Sequence, residues 1–283
     1  MPSEIFNTDY KIAVSISDVG KKRDNNEDAL LVLDKIGCYV VSDGMGGGSA
    51  GEIASSTVVT YIRNALLNAP MMPETRRERF SEAVYSAHRD ILSYANKKNY
   101  SSMGATLAAI LLNPWEPDRA DLYHAGDSRI YRLRKKNLQC LTSDHTVGNA
   151  SGLSEQQLPS GMSGLLSNAV GIPNGFFITN TQIDLHAGDI FLICSDGLYR
   201  QIPNDRIIAD LTRKNDFKKL LTSWVEQANE TGGIDNFTGI LIRFDSIPEK
   251  YTPSDEEIRQ NSISDSCEFS EKGGFDNEAT IIG

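Results

Sequence analysis

Two segments of the sequence end in the same three residues directly after an apolar run. Residues 38–44 read Cys-Tyr-Val-Val-Ser-Asp-Gly, and residues 192–197 read Leu-Ile-Cys-Ser-Asp-Gly. A third acid, Asp235, shortly precedes the apolar run 238–244. One Ser-Asp-Gly after a strand is typical of a simple turn. Three acids beside the ends of predicted strands, in contrast, predict carboxylates that converge at one edge of a sheet structure.

Such a cluster of Asp43, Asp196 and Asp235 is unstable unless the carboxylates take up protons or bind a cation. The candidate ligands are oxygen donors, with no His or Cys among them. Oxygen ligands select hard ions, so the predicted cofactor is Mn²⁺ or Mg²⁺ rather than zinc or copper. The glycine that follows the first aspartate, Gly44, permits close approach of its backbone carbonyl to a cation.

A charged segment at residues 21–29, Lys-Lys-Arg-Asp-Asn-Asn-Glu-Asp-Ala, precedes the first of these aspartates. It can be interpreted as an ordinary solvated run of charges. Its functional interpretation assigns Glu27 to metal binding and Arg23 to the substrate, because a guanidinium group matches two phosphate oxygens. Gly126-Asp127-Ser128-Arg129, between two predicted strands, is either a tight hairpin or the source of a further metal ligand, Asp127.

Apolar periodicity predicts an α+β fold. Strand patterns occur near the N-terminus and again between residues 105 and 133 and between 176 and 244. Apolar residues repeat at helical intervals over residues 50–66 and 80–91, and further helices are expected at 204–211 and 217–229. Because strands and helices are grouped rather than strictly alternating, we expect mainly antiparallel sheets with helices packed outside them.

Composition excludes some functions. The 283-residue chain has a net charge of -10, which argues against binding the phosphate backbone of nucleic acids. No segment has the length and apolarity of a membrane span, and the N-terminus does not resemble a signal peptide. The widely separated cysteines are consistent with a reducing compartment. We therefore expect a soluble, cytoplasmic protein and a monomer.

The chain is predicted to consist of a catalytic domain, residues 1–248, and a tail. Residues 142–174 are polar, with little periodicity, and predict a surface excursion. Residues 249–283 form an acidic Ser/Thr-containing tail with few large apolar side chains, so we expect the tail to be disordered.

Six segments in this order resemble the type 2C metal-dependent serine/threonine protein phosphatase family (PPM), especially its bacterial branch. The resemblance covers about residues 10–245. The matching segments are Arg23 with Asn26-Glu27-Asp28-Ala29, Ser42-Asp43-Gly44-Met45-Gly46-Gly47, Met103-Gly104-Ala105-Thr106, Gly126-Asp127-Ser128-Arg129, Ser195-Asp196-Gly197-Leu198, and Asp235-Asn236 with Thr238.

The resemblance implies a four-layer α-β-β-α sandwich of two antiparallel sheets flanked by helix pairs, with a metal centre at one edge. By analogy, Asp43 bridges two core metal ions, and Glu27 and the Gly44 carbonyl complete one of them. Asp196 and Asp235 complete the other ion, while Asp127 with Asp196 holds a weaker third ion. Asp28 and Asn236 are candidate supporting residues.

The implied reaction is hydrolysis of phosphoserine and phosphothreonine by direct attack of a water molecule that bridges the metal ions, with Arg23 orienting the phosphate. Two positions depart from the family pattern. Met45 stands where animal members have a histidine, so the general acid is open, and the usual helical pattern of the family's flap is hard to find in residues 142–174. This leaves substrate choice open.

The expected partners are phosphorylated Ser/Thr proteins and a cognate bacterial Ser/Thr kinase that the enzyme opposes. A different hypothesis is a catalytically silent phosphopeptide-binding or scaffold protein with the same fold; the acids retained at the predicted metal positions argue against it. In the tail, Thr280 follows acids and precedes two isoleucines. Once phosphorylated, Thr280 would suit a forkhead-associated domain, although an inert acidic terminus also explains this sequence.

Overall fold

A computed structural model describes residues 4–46, 49–67, 73–100, 102–152, 157–159, 161–173, 175–213, 216–250 and 280–282. The strands are β1 (Glu4–Thr8), β2 (Lys11–Asp18), β3 (Asp28–Leu33), β4 (Cys38–Met45), β5 (Gly104–Ala105), β6 (Leu107–Leu112), β7 (Arg119–Ala125), β8 (Arg129–Arg134), β9 (Asn137–Cys140), β10 (Thr179–Asp184), β11 (Ile190–Cys194), β12 (Phe237–Phe244) and β13 (Thr280–Ile282). The helices are α1 (Ser49–Leu67), α2 (Pro73–Lys98), α3 (Val147–Ser151), α4 (Asp196–Tyr199), α5 (Asn204–Arg213) and α6 (Phe217–Glu230).

The strands form two antiparallel sheets. The first has the order β1-β2-β12-β11-β8-β9. The second has the order β10-β7-β6-β4-β3-β13, and β5 pairs with the end of β4. Strands β11 and β12 are neighbours at the centre of the first sheet, and β4 lies inside the second. These are the strands that the Ser-Asp-Gly segments and Asp235 flank.

Alternation along the strands produces the layers, because successive side chains of a strand point to opposite faces. On β3, Leu31 packs with the apolar face of α1 and α2, whereas Leu30 and Val32 pack between the two sheets. The first sheet has the same arrangement: Leu192 packs against α5 and α6, and Ile193 faces the other sheet. The predicted four-layer sandwich is therefore confirmed.

The predicted helices and the central strands lie close to their expected positions. Strands β1 and β9 and the short helix α3 were not predicted from the sequence. The residues of β9 are mostly exposed, so they carry no apolar alternation. Within the predicted excursion, Thr146 caps α3 and forms an isolated bridge with Leu166.

The structure describes three residues at the end of the predicted tail. Thr280–Ile282 forms strand β13, which pairs with Leu30, Leu31 and Val32 of β3. Without β13, β3 would be an edge strand with unpaired backbone groups. Pairing with such groups does not require an apolar tail. Residues 251–279 of the predicted disordered segment lie outside the described residues. Among the helices described, none has the length and apolarity needed to cross a membrane.

Candidate metal centre

Asp43 stands near the end of β4, where backbone and side-chain bonds fix it on both sides. Its backbone N–H donates to Thr106 Oγ1 at 2.9 Å, and its carbonyl accepts from Thr106 N at 2.8 Å. Thr106 Oγ1 also bonds Ser128 Oγ at 2.6 Å. Thr106 thereby links the Asp43 segment to the turn that carries Asp127. Its side chain has a role that the sequence motif alone did not reveal.

Carboxylates from other segments converge on Asp43. Asp196 follows β11 and begins α4, and its negative charge acts on the Asp43 carboxylate. The negative charges of Asp28, Asp127 and Asp235 also act on Asp43. Asp43 and Asp196, which are more than 150 residues apart in sequence, are therefore brought together by the fold.

The electrostatics of this cluster disfavour ionised carboxylates. Burial, followed by the charges of Asp28 and Asp196, raises the pKa of Asp43 well above its usual range. Burial and the charge of Asp196 raise the pKa of Asp127 to about 6. The pKa of Asp196 is also raised, first by burial. A cation would relieve both the desolvation and the mutual repulsion of these groups.

Glu27 and Gly44 meet at the first turn of α1. Gly44 N donates to the Glu27 carbonyl at 3.0 Å. A Cβ added to Gly44 would lie 2.1 Å from the Gly51 carbonyl oxygen, and one added to Gly51 would lie 2.6 Å from Glu27 Oε2. The two glycines therefore let β4, α1 and the Glu27 carboxylate pack against one another. Burial is the main cause that raises the pKa of Glu27.

Asn236 joins the two loops that carry predicted ligands. Its Oδ1 accepts from Glu27 N at 2.8 Å, and its Nδ2 donates to the carbonyls of Val19 and Asn25 at 3.0 and 3.1 Å. Its backbone N–H donates to Asp235 Oδ1 at 2.9 Å. Asn236 thus positions the loop around Glu27 against the loop around Asp235.

Asp28 lies beneath the cluster, opposite Asp43 in the register of β3 and β4. Its Oδ2 accepts from Ser195 Oγ at 2.8 Å. Burial raises the pKa of Asp28 to about 7, while hydrogen bonds from Thr238 and Ser195 oppose that rise. Ser195 was interpreted from sequence only as a turn residue, and its hydroxyl instead joins the two sheets directly below the centre.

The Arg23 side chain lies at the candidate metal centre, where it forms an ion pair with Asp235. Its Nη2 lies 2.9 Å from Asp235 Oδ1 and 3.0 Å from Oδ2. The Arg23 side chain is 47% exposed. The predicted phosphate-binding residue is therefore located beside a predicted ligand, with its guanidinium accessible from solvent.

A second arginine, Arg200, was not singled out from the sequence. Its Nη2 lies 3.1 Å from Asp196 Oδ2 and 3.8 Å from Asp127 Oδ2. Arg129, two residues after Asp127, has other partners: it donates to both Asp144 oxygens and stacks on the Tyr199 ring. The signal available in the sequence was the spacing of four residues between Asp196 and Arg200, which is one helical turn.

The predicted metal centre consists of oxygen ligands, some of which are paired with arginines. Among the described residues, no three Asp, Glu, His or Cys side chains form a ready-made metal-ligand group. Arg23 and Arg200 instead pair with Asp235 and Asp196. The donor atoms are nevertheless oxygens, and the half-buried Asp43 carboxylate is surrounded by other acids. This chemistry fits a hard divalent cation.

Comparison with known proteins agrees with this description. The family profile for protein phosphatase 2C matches residues 20–241. A putative protein phosphatase 2C-type protein of Streptococcus pyogenes is 29% identical over 240 residues, which are 81% of this chain and 96% of that protein.

Solved structures give the same result. The S. agalactiae serine/threonine phosphatase aligns with a TM-score of 0.74 and 28% identity over 83% of this chain and 100% of that one. The catalytic domain of the serine/threonine protein phosphatase PstP, crystallised with two manganese ions, aligns with a TM-score of 0.70 and 28% identity over 83% of this chain and 98% of that one.

These findings confirm the family, the fold and the class of enzyme that the sequence predicted, a serine/threonine protein phosphatase of bacterial type. Members of the family are metal-dependent, and phosphoproteins are the substrates that its name implies. The chain belongs to the protein phosphatase 2C family.

Proposed function

We propose that this chain hydrolyses phosphoserine and phosphothreonine in proteins with two core Mn²⁺ or Mg²⁺ ions held around Asp43. The observation that carries the proposal is the position of Asp43: it is half-buried and lies among Asp127, Asp196 and Asp235, which come from three other segments. The manganese pair in the PstP structure supports the number and type of ions.

In this proposal Asp43 would be a ligand of both core ions. Glu27 and the Gly44 carbonyl would complete the coordination of one core ion, and Asp196 and Asp235 would complete the coordination of the other. Asp127, together with Asp196, would hold a weaker third ion. Asn236 keeps the Glu27 and Asp235 loops in register, since it is bonded to both. Asp28 supports Asp43 from the neighbouring strand.

The ions, when bound, supply Lewis-acid activation of water near neutral pH. Arg23 binds the substrate phosphate and offsets the charge that develops on its oxygens. For this it must leave Asp235, which becomes favourable when the Asp235 carboxylate is a metal ligand. The exposure of the Arg23 side chain leaves room for this movement. No covalent phosphoenzyme is needed, because no nucleophilic side chain takes part.

The partners of the enzyme follow from this activity. Its substrates are phosphorylated Ser/Thr proteins, and a cognate Ser/Thr kinase would supply them. Binding of phosphorylated Thr280 by a forkhead-associated domain stays a prediction. The backbone of Thr280 is paired with Val32, so this threonine would have to leave β3 before a kinase or such a domain could reach it.

The test is a phosphatase assay on a phosphothreonine peptide, with Mn²⁺ or with excess chelator. Activity should require the ion and should fall at least about 100-fold in Asp43→Asn and in Asp196→Asn, a size typical of removing a key catalytic group. Asp24→Asn is the matched control, because Asp24 is exposed and lies in the same loop as Arg23. Full activity in chelator would refute the proposal. Tight binding of the phosphopeptide without turnover in Mn²⁺ would favour the binding-protein alternative.

A further inference from the structure

Arg200 is fixed next to Asp196 by the shape of α4. The backbone N–H of Arg200 donates to the Asp196 carbonyl at 3.0 Å, which closes one helical turn. Side chains four residues apart on a helix lie on the same face. The Arg200 guanidinium is therefore held at the Asp196 carboxylate, at 3.1 Å, by local structure.

The same guanidinium reaches toward a second acid. Arg200 Nη2 lies 3.8 Å from Asp127 Oδ2, although Asp127 belongs to the turn between β7 and β8. The Asp127 and Asp196 side chains are only 10% and 16% exposed. In the part of the chain that the structure describes, Arg200 is the cationic group paired with Asp127, since Arg129 is bonded to Asp144.

We infer that Arg200 is a built-in competitor of the third divalent cation: it supplies to Asp127 and Asp196 the positive charge that this ion would otherwise bring. The inference rests on the proposed function, in which these two acids hold that ion. A guanidinium and a divalent cation repel one another strongly at such short distances, so both cannot occupy the space between the two carboxylates.

The surroundings of Arg200 allow the exchange. The Arg200 side chain is 56% exposed and lines a groove of about 430 Å³ that also contains Tyr199, Gly148 and Ser163. The guanidinium can therefore move into the groove when an ion takes its place. Asp43, Glu27 and Asp235 are not in ion pairs with Arg200 among the described contacts. Asp196 is shared between the third ion and one core ion in the proposed function, whereas Asp127 holds only the third ion, so competition should affect the third ion more strongly than the core ions.

The test is Mn²⁺ binding measured by isothermal titration calorimetry, with free Mn²⁺ followed by electron paramagnetic resonance. Arg200→Met removes the charge and keeps a long side chain. We expect its weakest Mn²⁺ site to tighten at least about tenfold, with a smaller change at the two tight sites. Arg200→Lys keeps a positive charge, so its third site should remain close to that of the wild type. Adding Asp127→Asn to Arg200→Met should abolish the gain.

Arg206→Met is the matched control. Arg206 forms the same kind of ion pair, four residues before Asp210, and its side chain is 47% exposed, but Asp210 is not among the predicted ligands. This control should leave all Mn²⁺ affinities unchanged.

The inference is overturned if Arg200→Met binds its third Mn²⁺ no more tightly than the wild type does, while the two tight sites persist. An unchanged third site with a raised KM for the phosphopeptide would also overturn it, and would assign Arg200 to the substrate. Loss of the two tight sites in the wild-type protein is a different result, because it would refute the proposed function itself.

Discussion

Ser195 and Asp28 are hydrogen-bonded to one another across the interior of the sandwich, with Ser195 Oγ 2.8 Å from Asp28 Oδ2. Ser195 follows β11 of the first sheet, and Asp28 begins β3 of the second. The Ser195 hydroxyl also accepts from Thr238 N at 3.2 Å. Thr238 is in turn bonded to Ser17 at 2.8 Å. A buried polar network therefore connects the two sheets directly below Asp43.

Ser195→Ala should destabilise the protein by about 1 to 3 kcal/mol, because the buried Asp28 carboxyl loses a donor and Thr238 N loses its acceptor. Urea unfolding in the presence of chelator would measure the change. The double variant Ser195→Ala with Asp28→Asn should be less destabilised than the sum of the two single variants, since both remove the same interaction. Ser223→Ala is a suitable control, because its hydroxyl only bonds a helix carbonyl, Leu220 O. Additive effects would contradict the assignment.

Gly197→Ala should displace the loop that carries Asp235 and Asn236 at the candidate metal centre. A Cβ at Gly197 would lie 1.9 Å from the Asn236 carbonyl oxygen and 3.4 Å from Asp235 Cβ, so the loop that carries these residues must move. We expect a destabilisation of at least about 2 kcal/mol together with weaker Mn²⁺ binding. Thermal unfolding and calorimetric titration would report the two effects.

Gly164→Ala provides the comparison for Gly197→Ala, because a Cβ at Gly164 has no atom within 4 Å. Its stability should stay within about 0.5 kcal/mol of the wild type. Equal effects of the two substitutions would show that the close approach of Gly197 to Asn236 is not important.

The sequence predicted the features that depend on short repeats. The helical spacing of Ala54, Val58 and Ile62 predicted α1 because one face of that helix must be apolar to cover a sheet. The aspartates could be located because acids directly after apolar strands are conspicuous in a chain whose other acids are scattered. Their convergence required only that the ends of β4 and β11 and the start of β12 lie at the same edge of the sandwich.

What the sequence missed depends on contacts between distant segments. The hydroxyl of Ser195 is indistinguishable in sequence from that of any other turn residue, and its partner Asp28 is far away in the chain. Arg200 pairs with Asp196 locally, but its approach to Asp127 requires the turn after β7 to lie beside α4. Strand β13 was missed because pairing at an edge uses backbone groups, which every residue carries.

Mn²⁺ should stabilise the folded protein, and Asp43 should account for most of that effect. At 100 times its dissociation constant, an ion that binds only the folded state adds about 2.7 kcal/mol per site. In chelator, Asp43→Asn should instead be more stable than the wild type by about 1 kcal/mol, since it removes a half-buried carboxylate from repulsion by Asp28 and Asp196. Urea unfolding of both proteins in Mn²⁺ and in chelator checks this. The prediction would be contradicted if Asp43→Asn were less stable than the wild type in chelator and were still stabilised by Mn²⁺.

His124 should make the stability of the protein depend on pH. Its Nε2 donates to the Ser128 carbonyl at 3.0 Å, and its ring packs 4.7 Å from that of His145. Burial, and then the nearby His145, lowers the pKa of His124 from 6.5 to about 4. Between these values the unfolded chain binds the proton and the folded chain does not. Stability is therefore complete above pH 6.5 and is lost as the pH falls toward 4, by up to about 3 kcal/mol.

The contribution of His124 can be separated from that of the acids by comparing the wild type with His124→Gln. Glutamine keeps an N–H donor for the Ser128 carbonyl but does not titrate. The carboxylates around Asp43 have raised pKa values and so change stability in the opposite direction over this range, but they are the same in both proteins. In urea unfolding with chelator, the stability of the wild type relative to the variant should decrease steadily from pH 6.5 to 4.5. A difference that is constant with pH would show that His124 is protonated as readily in the folded state as in the unfolded chain.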